Sequence, residues 1–300
     1  MTPLLPLPDW LRRLYPFEPK SFSTTGGARM NYVDEGPRSE EAVLLLHGNP
    51  TWSFYYRDLV QALSPHLRCI APDHVGMGLS DKPQDYDYRL GTRIADLEAL
   101  VAHLGLRRVH LVVHDWGGAI GFGFAARRPE LIGKLVILNT AAFVAPWIPR
   151  RIALCRTPFP GTLLVRGANA FAWPATWMAM HRRKLGADEK RAYLWPYNSW
   201  ANRVAVDAFV KDIPLEPTHP SMPTLREIEQ ALPKFSDRPA LIAWGGRDFC
   251  FDGRFLGCWR AVFPQAQFVP YADAGHYVLE DAGPEIRRRI SGFLTADEHG

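Results

Sequence analysis

Six short runs, at residues 42–46, 68–71, 109–113, 135–138, 240–244 and 267–269, are almost uninterrupted β-branched and aliphatic stretches. Strands covered on both faces read this way, because neither side needs polar residues. Between them, residues 54–63, 92–104, 119–128, 255–263 and 284–294 carry apolar positions at three- and four-residue spacing, which predicts helices with one buried face; Pro284 suits the first turn of the last. The alternation predicts an α/β fold with an open, mostly parallel, doubly wound sheet. An earlier pair of runs, 21–24 and 29–33 around Gly26-Gly27, predicts an antiparallel hairpin at the sheet's leading edge.

The strand pattern lapses between about residues 141 and 233, a segment that contains Trp147, Trp173, Trp177, Trp195 and Trp200, half of the ten tryptophans. We therefore expect a core of residues 1–140 and 234–300, interrupted after the sixth strand by a helical cap at 141–233. In open α/β sheets ligands bind at the carboxyl edge of the strands, where an aromatic cap would roof an apolar pocket. The same tryptophans could instead fill the cap's own interior.

The segment Val112-Val113-His114-Asp115-Trp116-Gly117-Gly118 follows a buried run and opens a helix, the layout of a nucleophile elbow. Asp115 occupies the nucleophile's position, and no G-x-S-x-G is present, so serine hydrolysis loses its support. A carboxylate is already ionised at neutral pH and attacks carbon without help from a base. Two further junctions end in Gly246-Arg247-Asp248 and Gly275-His276, giving the order nucleophile, acid, histidine. Each residue alone has an ordinary structural role, such as helix capping for Asp115; together they predict a triad. The loop His47-Gly48-Asn49-Pro50 should face the elbow. There, backbone N–H groups, the Asn49 amide and the Trp116 indole would be uncharged donors to a departing anion or oxygen.

Composition narrows the field. With 47% hydrophobic and 22% charged residues and a net charge of +4, the chain is ordinary globular protein. Its cations are scattered apart from short runs such as Arg182-Arg183-Lys184 and Arg287-Arg288-Arg289, which argues against a nucleic-acid partner. No apolar run approaches the roughly 20 residues of a membrane span, and residues 1–9 lack the regions of an export signal, so a soluble cytoplasmic protein is expected. Cys69, Cys155, Cys250 and Cys258 lack metal-ligand spacing and read as reduced thiols. Gly121-Phe122-Gly123-Phe124-Ala125-Ala126 fits a dinucleotide fingerprint but falls inside a helix, away from any strand junction, and no cofactor or metal is implied.

The loop His47 to Trp52, the stretch Asp73-His74-Val75-Gly76-Met77-Gly78-Leu79-Ser80-Asp81-Lys82-Pro83 and His114-Asp115-Trp116-Gly117-Gly118 together resemble the haloalkane dehalogenases. The resemblance implies an α/β-hydrolase fold, Asp115 as nucleophile, Asn49 and Trp116 as the halide-binding pair and His276 as base. Some members carry the triad acid after the sixth strand. Here that strand ends in Leu138-Asn139-Thr140, so Asp248 takes the role.

Within this group the chain looks most similar to the β-lactone decarboxylases of bacterial long-chain olefin biosynthesis. The pointers are Thr51-Trp52-Ser53-Phe54-Tyr55-Tyr56-Arg57, Asn198-Ser199-Trp200-Ala201-Asn202-Arg203, Phe209-Val210-Lys211-Asp212-Ile213-Pro214-Leu215 and Asp248-Phe249-Cys250-Phe251-Asp252. That likeness implies a hydrophobic substrate with long alkyl chains and association with the pathway's β-lactone synthetase, reductase and thiolase. Attack on the ring carbon and attack on the lactone carbonyl both fit these residues. Haloalkane hydrolysis is the alternative. An epoxide hydrolase, with Tyr193 and Tyr197 as candidate phenols, and a non-catalytic receptor are weaker ones.

Overall fold

The computed structural model describes residues 7–296; most of the N-terminal stretch read for an export signal lies outside the described residues. Eight strands form one sheet: β1 Lys20–Ser23, β2 Arg29–Glu35, β3 Glu41–Leu46, β4 Cys69–Pro72, β5 Arg108–Asp115, β6 Ile132–Thr140, β7 Ala240–Gly245 and β8 Gln267–Tyr271. Their order is β1-β2-β4-β3-β5-β6-β7-β8, with the β1–β2 and β2–β4 pairs antiparallel and the other pairs parallel. The predicted doubly wound sheet and its leading hairpin are both present.

Leu44, Leu45 and Leu46 at the sheet's centre are fully buried, each worth about 1.5–3 kcal/mol of transfer from water. The outer strand β8 departs from expectation. It was read as covered on both faces, but it is the edge of the sheet and only Tyr271 is buried. The helix expected at 54–63 opens as a 3-10 turn, Ser53–Tyr56, before Arg57–Leu63.

Between β6 and β7 the described chain is helical, and its N-terminal part covers the carboxyl ends of the central strands. The helix Met222–Ala231, by contrast, packs on Leu90–His103 and Trp116–Arg127 beside the sheet. Polar groups pin the cap to the core. The Asp281 carboxylate accepts the backbone N–H groups of His181, Arg182, Arg183 and Gly275 at 2.7–3.1 Å. Buried Glu280 accepts from Arg57 at 2.5 Å, from Arg183 at 2.5 Å and from the Tyr193 hydroxyl at 2.7 Å. Among the described residues no helix is long and apolar enough to cross a membrane.

Candidate active site

Asp115 ends β5 with φ 52° and ψ −127°, a region that non-glycine residues avoid and that costs about 1–3 kcal/mol. Its neighbours hold it there. The Thr140 hydroxyl donates to the Asp115 carbonyl. A Cβ on Gly117 would strike the Leu46 carbonyl, one on Gly118 the Thr140 hydroxyl, and one on Gly48 the Asp115 carboxylate itself. An elbow usually has a small residue two places before the nucleophile, where this chain has Val113. The room is supplied from the facing helix, since a Cβ on Gly121 would lie 2.8 Å from a Val113 methyl.

The three residues expected to form a triad lie together. His276 Nδ1–H donates to Asp248 Oδ2 at 2.8 Å, and its Nε2 is 3.6 Å from Asp115 Oδ2. Asp248 also accepts the Cys250 backbone N–H at 2.6 Å and the Asn139 side-chain amide at 2.9 Å. Asn139 was not anticipated. It stands at φ 27°, and its side-chain Oδ1 accepts the Gly245 N–H at 2.8 Å, tying β6 to the loop that carries Asp248. Phe251 stacks on the His276 ring at 5.7 Å, and His114 donates from Nε2 to the His276 carbonyl at 2.9 Å.

Charge follows from this packing. Burial raises the Asp115 pKa, while His276 and the backbone N–H groups of Asn49 and Trp116 oppose the rise. Burial works to lower the His276 pKa, but the charge and hydrogen bond of Asp248 together with the Asp115 charge outweigh it, so the imidazolium is favoured. Burial and the adjacent His276 push His114 well below the ordinary imidazole value and keep it neutral.

The Asn49 N–H donates to Asp115 Oδ1 at 2.7 Å, so the carboxylate rests on one of the expected oxyanion donors. The Asn49 side-chain amide also donates, at 3.1 Å, to the Val206 carbonyl of the cap. Trp116 packs on Phe209 at 5.4 Å, and no acceptor among the described residues takes its indole N–H. The Asp73 stretch is structural support for this corner: its carboxylate accepts the Ser53 and Leu79 N–H groups and the Asn31 amide at 2.7–2.9 Å.

These groups open on a cavity of about 560 Å³, whose walls are apolar apart from Asn49, Asp115, His276, Arg151, Cys155 and Cys250. Arg151 is a second unanticipated feature, a cation over the Phe249 ring at 4.9 Å. Of the five cap tryptophans only Trp147 and Trp177 reach this cavity; Trp173 and Trp200 face outward. Tyr193 and Tyr197 do not line it. Tyr193 bonds to Glu280, and Tyr197 donates to the Thr51 carbonyl at 3.2 Å, so neither phenol is available to an epoxide. Among the described residues no three His, Cys, Asp or Glu side chains converge as metal ligands.

A family profile for the alpha/beta hydrolase fold matches residues 41–283. The chain is 48% identical to the cis-3-alkyl-4-alkyloxetan-2-one decarboxylase of Shewanella oneidensis, over 96% of this chain and 92% of the relative. It is 46% identical to the decarboxylase of the same name from Xanthomonas campestris pv. campestris, over 93% and 97%. Among solved structures, the haloalkane dehalogenase DbeA from Bradyrhizobium elkani USDA94 superposes with a TM-score of 0.85 at 27% identity, covering 93% of this chain and 97% of that one.

Proposed function

The chain belongs to the alpha/beta hydrolase family, and we propose that it is a decarboxylase that converts cis-3,4-dialkyl β-lactones to cis-alkenes and CO2. The observation that carries this reading is the likeness to oxetanone decarboxylases along nearly the whole chain. The site is chemically suited to the task, with a buried carboxylate nucleophile at the foot of an apolar cavity large enough for alkyl chains.

In the mechanism we favour, an Asp115 carboxylate oxygen attacks the ring carbon bearing the lactone oxygen. That C–O bond breaks with inversion, and the lactone oxygen leaves as part of a free carboxylate. The Trp116 indole N–H, and the Asn49 amide proton not given to Val206, receive the new charge. The bond from the ring's other carbon to this carboxylate then breaks anti to the new ester, CO2 departs, the electron pair forms the alkene, and Asp115 is expelled as carboxylate. Inversion followed by anti elimination preserves the cis relationship of the alkyl groups.

Water is neither consumed nor required, which fits an apolar cavity. Asp248 holds the His276 ring through Nδ1. A protonated His276 stabilises Asp115 as it leaves and cannot act as a base on water. In haloalkane hydrolysis, by contrast, neutral His276 must activate water against the alkyl ester. We assign the protein to the cytoplasm and expect it to work beside the enzymes that make its β-lactone.

The deciding experiment is gas-chromatographic product analysis with a cis-dialkyl β-lactone and a 1-haloalkane side by side. Cis-alkene with CO2 is the expected outcome. Dominant hydroxy acid, or fast halide release without lactone turnover, would transfer the assignment to a dehalogenase.

A further inference from the structure

The outer face of the cap carries a combination that the site itself does not use. Residues 141–187 contain no Asp or Glu, and of the cations within them Arg156, Arg182 and Arg183 are paired with carboxylates of other segments, which leaves Arg150, Arg151, Arg166 and Lys184. On the same segment Phe159 is 72% exposed, Trp173 57%, and Leu154 and Trp177 54% each. Leu154 and Trp177 also line the cavity, so they form its rim, half inside and half outside. Trp173 stands one turn before Trp177, their rings edge to face at 6.4 Å. Arg150 stands one turn before Leu154, and among the described residues neither Arg150 nor Arg151 meets a carboxylate. Arg151 reaches the Met178 sulfur at 3.4 Å, which places the helices Arg150–Arg156 and Ala172–Met178 together at the opening.

From this geometry we infer that the cap docks on an anionic lipid surface, with the cavity mouth turned toward the acyl layer. Exposed tryptophan, phenylalanine and leucine beside unpaired arginines are the groups that the interface of an anionic bilayer attracts, the rings by burial and the cations by the surface potential. An apolar rim continuous with an apolar cavity gives a lipid-dissolved molecule a path that avoids water. That this molecule is a dialkyl β-lactone, and the one returned an alkene, rests on the function proposed above; the docking does not.

Co-sedimentation of the full chain with phosphatidylcholine vesicles, with and without phosphatidylglycerol, tests the inference without any substrate, so its failure and that of the decarboxylase reading are separate. The wild-type protein is expected to pellet with the anionic vesicles and far less with the neutral ones. Arg150→Gln should weaken this binding about fivefold. The double variant Phe159→Ser, Trp173→Ser, whose side chains do not line the cavity, should weaken it by about tenfold or more. Both variants should keep wild-type turnover of a detergent-dispersed substrate. If the double variant lost that turnover, Arg150→Gln would decide alone. Wild-type protein remaining in the supernatant, or binding indifferent to phosphatidylglycerol and to Arg150, would overturn the inference. So would concentration-dependent dimers that the double variant dissolves, because the face would then be a protein contact.

Discussion

Asn139 and His276 donate to the same oxygen of Asp248, at 2.9 and 2.8 Å. Each donor therefore tempers the basicity that the other meets. Asn139→Ala removes a charge-assisted hydrogen bond and leaves the Gly245 N–H without its acceptor, at a cost of about 1.5–3 kcal/mol in stability. With Asp248 less satisfied, the His276 imidazolium should be held more tightly. Its titration, followed by NMR of the ring, should move to higher pH. An unchanged midpoint would mean that Asn139 only braces the loop.

Asp115→Ala should abolish turnover of β-lactone and haloalkane alike, because among the described residues no other carboxylate lines the cavity. Activity above a few per cent of wild type in protein free of contaminating enzyme would end the covalent mechanism.

Trp116→Phe keeps the packing on Phe209 and deletes one donor. Loss of a preorganised donor of this kind costs about 2.7–4 kcal/mol, or 10²–10³-fold in rate. Asn49→Ala should cost at least as much, since it also frees the Val206 carbonyl that anchors the cap. Single-turnover rates measure both effects. A change within threefold for Trp116→Phe would show that the indole contributes only packing.

His276→Phe separates the two chemistries. Given a haloalkane, it should react once and accumulate an alkyl ester on Asp115, visible in the intact mass. Given a β-lactone, it should still release alkene with little trapped ester, because loss of CO2 frees Asp115 without water.

The two product channels should also respond differently to pH. The His276 pKa lies above the ordinary imidazole value, so the neutral base that hydrolysis needs becomes abundant only as pH rises through that elevated pKa. The small yield of β-hydroxy acid should therefore grow relative to alkene toward alkaline pH. Toward acid, both should fall together as Asp115 protonates, at a pH above the usual carboxylate range because burial raises its pKa. A product ratio independent of pH would show that His276 plays no part in the hydrolytic branch.

The sheet was legible because strands covered on both sides need unbroken apolar runs, and those runs located six of the eight strands, β1 and β2 coming from the hairpin around Gly26-Gly27. Strand ends were less visible. β5 continues through His114 and Asp115 and β6 through Asn139 and Thr140, polar residues that are buried because they build the site. The helix after the elbow begins at Trp116, three residues earlier than its periodicity suggested, since Gly117 and Gly118 break the apolar pattern while making the close approach possible. Asp115, Asp248 and His276 announced themselves by their place at strand ends. Asn139 and Arg151 carried no such mark: one amide or guanidinium among many acquires meaning only when a fold brings it to a carboxylate or a cavity wall. The edge position of β8 was hidden for a related reason, because a short apolar run does not say how many neighbours its strand will have.

The accommodation of Val113 by Gly121 makes the order of change at these two positions matter. Gly121→Ala in the present background drives a methyl against both Val113 and Leu46 and overpacks the floor of the elbow, a cost of about 1–3 kcal/mol, whereas after Val113→Gly only the Leu46 methyl still has to give way. Neither residue can then be scored alone. A lineage or a designer moving between this elbow and one built on a preceding glycine crosses at lower cost by shrinking position 113 first.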